Sequence, residues 1–304
     1  MTPKIARFMN KRFLSWLILT GLVLTWGSSF ILIKRGLEAF SPTVVGSLRV
    51  TITFLVLLPF AISRFGKVKA SDLMWLGVSG FIGNLLPAFL FAKAQTGINS
   101  STAGLLNSLT PLFTLLIGLS LFGMKTRWIN VLGVIIGLLG AAGMISQSGG
   151  HSFEFNINYA SYIILATIFY AFNVNLIKTK LSHIDSLGIT SLTFSLVGIP
   201  ALIILLFGTD FTHQMSLPGA FPGLGYIAIL AIVGTGIAMI AFNVLIKITS
   251  ALFASSVTYL IPVVAILWGI VDSEQFEPEY IVWIGMIIGG VILVNRKKPL
   301  AETN

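Results

Sequence analysis

Cysteine is absent from this chain, histidine occurs three times, and aspartate and glutamate together number ten in 304 residues. Without thiols there are no disulfides and no thiolate metal sites, and the absence says little about compartment because a protein folded in a bilayer needs neither. Charge of either sign is scarce at 10% of residues, against 56% hydrophobic and a mean hydropathy of +0.96. A chain with so little charge cannot be solvated as an ordinary globular domain, which makes a polytopic membrane protein the expected class.

Between the sparse charges lie runs long enough to cross roughly 30 Å of hydrocarbon at about 20 residues per helix. Ten helices are predicted, near residues 14–34, 43–63, 73–95, 99–122, 128–146, 159–178, 187–207, 222–246, 250–271 and 280–295, giving an all-α integral membrane fold. The first has the basic flank of a secretory signal. Its apolar stretch runs past Ile33 with no small-residue cleavage site, so it is expected to stay attached.

The basic residues alternate between loops. With the N-terminus inside, Lys4, Arg7, Lys11, Arg12, Arg64, Lys67, Lys69, Lys125, Arg127, Lys178, Lys180, Lys247 and Arg296-Lys297-Lys298 all fall on the cytoplasmic side, and only Lys34 and Arg35 fall outside. Glu38, Glu154, Asp210, Asp272, Glu274, Glu277 and Glu279 fall outside. Short basic loops are retained in the cytoplasm, so both termini are expected there, in a plasma (inner) membrane. The formal charge of +9 is then a topology signal rather than a nucleic-acid footprint, and no nucleic-acid partner is expected.

Proline is placed oddly. Pro111 interrupts the uncharged run 94–124 and Pro262 interrupts 248–271. Sliding the chain on itself by 151 residues lays Pro262 on Pro111, Ala254 on Ala103 and Gly234 on Gly83. A slide of 144 lays Tyr170 on Trp26, Asn173 on Ser29, Ile177-Lys178 on Ile33-Lys34 and Leu181 on Leu37. A slide of 152 lays Gly285 and Gly289 on Gly133 and Gly137. The chain therefore reads as two related halves, 1–147 and 148–304, whose offset drifts with loop length. Five helices per half force the second copy to enter from the opposite side, and inverted repeats commonly build transporters around a central cavity of interrupted helices. Each proline removes one helix bond and crowds the carbonyl four residues back, which belongs to Asn107 for Pro111 and Thr258 for Pro262.

These residues carry a family resemblance. Trp26-Gly27-Ser28-Ser29-Phe30, Leu48-Arg49 at the opening of helix 2, Asn107-Ser108-Leu109-Thr110-Pro111-Leu112, Leu260-Ile261-Pro262-Val263 and the glycine-spaced helices 5 and 10 occur in the order seen in the drug/metabolite transporter superfamily. The chain resembles its EamA type over nearly its whole length. One departure is that Glu274 follows helix 9, whereas Gly123-Met124-Lys125 offers no acid after helix 4. The resemblance implies a basket of ten helices, with the cavity walled mainly by helices 1, 3, 4, 6, 8 and 9 and with helices 5 and 10 outside.

The side chains can be weighed on their own. Ala103, Asn107, Pro111, Thr114 and Gly118 share one face of helix 4, and Ala254, Thr258, Pro262, Ala265 and Gly269 share one face of helix 9. Small residues also serve plain helix packing. An intramembrane amide is harder to satisfy. Substrate-cavity candidates are Trp26, Ser29, Asn84, Asn107, Pro111, Tyr170, Asn173, Asn243, Thr258, Tyr259 and Pro262, each weighed against an interhelical bond. Arg49 and Lys93 are the cations furthest inside predicted spans, where burial costs at least about 2.5 kcal/mol. Lys93 reads as snorkelling to the outer surface. Arg49 is a possible charged site that the residues leave open between substrate contact and a backbone clamp.

None of the ten acids falls in mid-span, and His151, His183 and His213 lie in predicted loops, so a buried proton relay is missing. A secondary exporter of small neutral or zwitterionic, amino-acid-like metabolites by alternating access is the expected function, with neither cofactor nor metal. A flippase or transporter for a lipid-linked or nucleotide-type substrate on the same fold is the alternative. A membrane enzyme is weaker, because no HExxH, no carboxylate pair within the bilayer and no thiol is present. A channel would need a continuous polar pore. The glycine pairs of helices 5 and 10 fit a homodimer interface or packing within one chain.

Overall fold

The computed structural model describes residues 3–98, 100–148, 157–271 and 280–294. Glu154, Asp272, Glu274, Glu277, Glu279, His151 and Arg296-Lys297-Lys298 lie outside that set, as do the side chains of Lys4, Arg7, Ala265 and Gly269. Among the described residues every regular element is helical. Six rods are long and apolar enough to cross a membrane: Lys11–Leu37, Pro42–Phe65, Ala70–Ala94, Ile157–Lys180, Ser186–Phe207 and Ala220–Ile248. Four shorter apolar helices, Thr110–Leu121, Trp128–Gly140, Ala251–Val264 and Ile281–Val294, lie where the other four spans are predicted. Phe13, Leu17, Ile62, Phe207, Phe221 and Ile281 are among the large apolar side chains left exposed, an outward face that suits lipid better than water.

Several rods are built from pieces. α1 (Pro3–Gly27) and α2 (Ser29–Leu37) meet at Ser28. α3 (Pro42–Phe65) is continuous. α4 (Ala70–Gly80) joins α5 (Leu86–Ala94) through a π-helical segment, Phe81–Leu85. Helix 4 is split into α6 (Ser100–Asn107) and α7 (Thr110–Leu121), followed by α8 (Trp128–Ser148), α9 (Ile157–Lys180), α10 (Ser186–Phe207) and the short α11 (Phe211–Met215). α12 (Ala220–Ala231) joins α13 (Ala238–Ile248) through a second π segment, Ile232–Ile237; α14 (Ala251–Ser255), α15 (Val257–Val271) and α16 (Tyr280–Val294) complete the chain. The first π segment opens at Phe81 and the second at Ile232, the same 151-residue offset that relates the two prolines.

The prolines act differently from the simple expectation. Pro111 sits in the first turn of α7, where its missing N–H would have had no helical partner, and the chain breaks just before it at Ser108-Leu109. The Asn107 carbonyl accepts a bond from Thr110 Oγ1 at 2.7 Å. In the second half the break falls at Ser256, and Pro262 lies inside α15. That displacement has a local cause. Ser255, Ser256 and Thr258 all donate side-chain bonds to carbonyls three residues back, at 3.0, 2.7 and 3.0 Å, and such bonds compete with helix hydrogen bonding. The Thr258 carbonyl, freed by Pro262, accepts instead from Ser108 Oγ across the break, at 3.2 Å.

Antiparallel pairs assemble the rods. α3 lies along α10, with Phe54 against Gly198 and the Arg64 guanidinium 3.4 Å from the Asp185 carboxylate. Asp185 also caps α10 by accepting from the Gly188 N–H at 2.9 Å. Partial burial pushes the Asp185 pKa upward, but the Gly188 N–H and Arg64 pull it below the usual carboxylate value. At the same end the Lys178 ammonium donates to the Ile246 carbonyl at 2.7 Å and the Lys247 carbonyl at 3.1 Å, closing the C-terminus of α13. Lys93 is exposed at the end of α5.

α8 packs on α16 with backbone nearly touching backbone. A Cβ on Gly133 would meet the Gly290 carbonyl at 2.8 Å, a Cβ on Gly290 would meet the Gly137 nitrogen at 2.6 Å, and Asn130 Nδ2 donates to the Leu293 and Val294 carbonyls at 3.0 and 2.8 Å. Gly285 and Gly289, which the sequence pairs with Gly133 and Gly137, face open space instead. Gly290→Leu is therefore expected to lower the melting temperature sharply, by overpacking worth about 1–3 kcal/mol or more, while Gly289→Leu leaves it nearly unchanged. A thermal melt of the two variants in detergent checks this.

Candidate functional site

Where the rods converge they leave a cavity of about 920 Å³, open space at its mouth included. Its floor depends on the two π segments. An extra residue in a helical turn widens it and re-aims the side chains, and such bulges often sit at functional sites. Here each bulge carries a glycine that lets a helix from the other half come close. A Cβ on Gly234 would meet Ser29 Oγ at 3.0 Å, and a Cβ on Gly83 would overlap the Asn173 side-chain amide. The Gly234 carbonyl accepts from the Trp26 indole N–H at 3.0 Å, so the donor of Trp26 is taken up within the protein and its apolar ring is what lines the cavity.

The aromatic walls also come in pairs. Trp26 meets Phe242 edge-on with centroids 5.0 Å apart, and Tyr170 stacks against Phe91 at 5.9 Å. The sequence offsets relate these two pairs, since 144 carries Trp26 to Tyr170 and 151 carries Phe91 to Phe242. Ser29 and Asn173, and Asn107 and Thr258, face the same space as further such pairs.

Of the residues singled out from the sequence, Trp26, Ser29, Arg49, Asn84, Asn107, Tyr170, Asn173 and Thr258 line this one cavity. Four do not. Tyr259 is fully buried and donates its hydroxyl to the Val134 carbonyl at 2.9 Å, bracing α15 on α8. Asn243 donates from Nδ2 to Thr190 Oγ1 at 2.9 Å, tying α13 to α10. Pro111 and Pro262 shape the helices behind the wall without reaching the lining.

Thr235, Thr110 and Ser255 line the cavity and were not among the sequence candidates. Thr235 was within reach, because the slide of 151 lays it on Asn84. α3 and α10 contribute Arg49, Val50 and Phe194, so the wall includes helices 2 and 7 beside those the resemblance implied. Among the described residues neither α8 nor α16 contributes a lining residue.

Polarity within the cavity is lopsided. Arg49 Nε donates to Thr235 Oγ1 at 2.8 Å, and Thr235 donates its own proton to the Leu230 carbonyl at 2.9 Å. Thr53 supports the same corner, donating from Oγ1 to the Arg49 and Ala231 carbonyls at 2.8 and 2.9 Å. Among the described residues no Asp or Glu lines the cavity and no ion pair involves Arg49. Asn173 Oδ1 is buried with no donor. Such an arrangement can hold a small solute between aromatic faces and one cationic, hydrogen-bonding corner.

Comparison with known proteins decides the family. The model of the EamA-like transporter family matches residues 14–146 and again 158–296. The chain belongs to the EamA-like transporter family. It is a membrane transporter, as the repeated match and the apolar rods together require. An Escherichia coli K12 protein named an uncharacterized inner membrane transporter, YedA, is similar at 30% identity over 288 residues, covering 93% of this chain and 90% of its own. A probable terminal-alkyne amino-acid exporter of Streptantibioticus cattleyicolor is similar at 23% identity over 288 residues, covering 92% of each. A crystal structure at 20% identity superposes with a TM-score of 0.67 over 92% of this EamA-like chain and 95% of that one, which establishes likeness of fold.

Proposed function

We propose that this transporter is a secondary exporter of small neutral or zwitterionic, amino-acid-like metabolites, working by alternating access between two inverted five-helix halves in the inner membrane. The observation that carries the proposal is the pairing of the cavity wall. Repeat-related residues from the two halves, Trp26 with Tyr170, Ser29 with Asn173, Phe91 with Phe242 and Asn107 with Thr258, surround one small space. An inverted pair of halves can exchange conformations, and a site between them is then presented to each side in turn. The antiparallel contacts of α3 with α10 and of α8 with α16 join repeat-related helices, which supports inversion and ten spans. YedA by its name supports the inner membrane, and the exporter from Streptantibioticus cattleyicolor supports amino-acid-like cargo.

The named cargo of the exporter from Streptantibioticus cattleyicolor favours a metabolite over a lipid-linked or nucleotide-type substrate. Counterflow in proteoliposomes against a metabolite panel tests the reading: accelerated exchange of a small zwitterion supports it, and exchange confined to lipid-linked sugars or nucleotides overturns it. Because no carboxylate lines the cavity among the described residues, exchange is expected to persist when a protonophore collapses the gradient. Loss of exchange with membrane integrity intact would defeat that expectation. Cysteines introduced at 64–72 and 178–186 are expected to react only from the cytoplasmic side, and those at 147–158 and 208–221 only from outside, with both termini cytoplasmic. Reaction of the 208–221 loop only after permeabilisation would reverse the topology.

A further inference from the structure

Resting on the exporter reading, we infer that the Arg49 guanidinium receives a carboxylate of the substrate, so that a free carboxylate is required for recognition. Arg49 lies two turns into α3, and its partner Thr235 lies near the middle of the Ala220–Ile248 span, so the side chain points into the cavity rather than back to the nearer surface. Thr235 spends its own proton on the Leu230 carbonyl, so its oxygen can act only as an acceptor toward Arg49. One of the five guanidinium N–H groups is thereby fixed, which sets the orientation of the remaining fork. No acid lines the cavity among the described residues. A cation held at this depth without a counter-charge is costly, and a planar carboxylate meeting the fork supplies both charge and geometry.

A second observation points to a ligand in the same space. Asn173 is 2% exposed, lines the cavity and has its Oδ1 buried without a donor. A buried acceptor left unpaired is costly, and the ammonium of an amino acid is a donor of the right kind. The two halves differ here. The offset of 144 carries Arg49 onto Thr193, which is 2% exposed, donates to the Thr190 carbonyl at 2.9 Å and does not reach the cavity. In an otherwise paired wall, one charge on one side gives the substrate a single orientation.

The test uses the full-length protein in proteoliposomes with four probes: L-leucine, 4-methylpentanoate, L-leucinamide and isoamylamine. L-Leucine is expected to bind best, 4-methylpentanoate to compete with it, and the two probes without a carboxylate to bind at least about tenfold more weakly. Arg49→Gln is expected to bring L-leucine down to the level of L-leucinamide. Arg49 could instead serve only to hold the π segment in place; Arg49→Gln would then lower the melting temperature and leave the leucine-to-leucinamide ratio unchanged, which overturns the inference. Should Arg49→Gln fail to fold, the wild-type ratios decide alone: equal binding of acid and amide overturns it. If none of the four probes binds while an uncharged metabolite is exchanged, the carboxylate inference falls and the exporter reading stands; if nothing is exchanged, both fall.

Discussion

Leucine at Gly83 or Gly234 is expected to slow exchange by more than about tenfold, whereas leucine at Gly77 or Gly225, in the same two rods, is expected to leave it within about twofold. The contrast follows from what each glycine faces. Gly77 and Gly225 have nothing within 4 Å of an added Cβ. Gly83 and Gly234 lie in the π segments, where the first added carbon already meets Asn173 in one half and Ser29 in the other. A full side chain there must push α9 or the α1–α2 junction away from its neighbour and displace Asn173 or Ser29 from the cavity. Overpacking of this kind costs about 1–3 kcal/mol, and under the proposed alternating access it falls at a contact that must change as the site switches sides. Exchange rates and melting temperatures of the four variants separate the outcomes. Near-normal exchange in Gly83→Leu and Gly234→Leu would show that these close approaches lie outside the moving parts.

Much of this arrangement is legible in the sequence because a bilayer imposes strong rules. The apolar runs place α3 and α10 within two residues at either end, and the offsets of 144 and 151 alone pair Trp26 with Tyr170 and Gly83 with Gly234. Eight of the twelve proposed site residues face one cavity, for a simple reason: amides, hydroxyls and indoles in mid-span need partners, and a cavity is one place to find them. Tyr259 met the same need across a helix interface, and Asn243 met it through its Nδ2 alone, its Oδ1 staying without a donor; periodicity cannot distinguish these solutions from a cavity.

The π segments left no mark, because Ile82-Gly83-Asn84 in one half and Val233-Gly234-Thr235 in the other read as ordinary helix, and the groups that Gly83 and Gly234 approach, Asn173 and Ser29, are far off in the chain. For the same reason Gly290, rather than Gly285 or Gly289, makes the contact with α8: GxxxG spacing names a face, and the tilt of the neighbouring helix selects the residue.

The break in helix 9 carries the second large prediction. Ser108→Ala is expected to destabilise the protein by about 1–3 kcal/mol, because the Thr258 carbonyl, already deprived of its helical donor by Pro262, then loses the hydroxyl that reaches it from the turn just past α6. The Ser108 proton is shared with the Gly104 carbonyl of the preceding α6, 3.1 Å away, so the cost lies below that of a fully dedicated bond. Pro262→Ala supplies the missing N–H within α15 and is expected to be nearly neutral alone. Combined with Ser108→Ala it should recover most of the lost stability, a coupling of about 1 kcal/mol or more in a double-mutant cycle. Function should respond in the opposite sense. With Pro262 present, α15 is tied at this level to the turn between α6 and α7 rather than to itself, so a side-chain hydroxyl replaces a helix bond. The double variant would be stable but locked, with exchange slowed and substrate affinity retained. Additive melting temperatures across the cycle would mean that Ser108 does not satisfy the carbonyl Pro262 releases, and wild-type exchange in the double variant would mean that the break is only a packing kink.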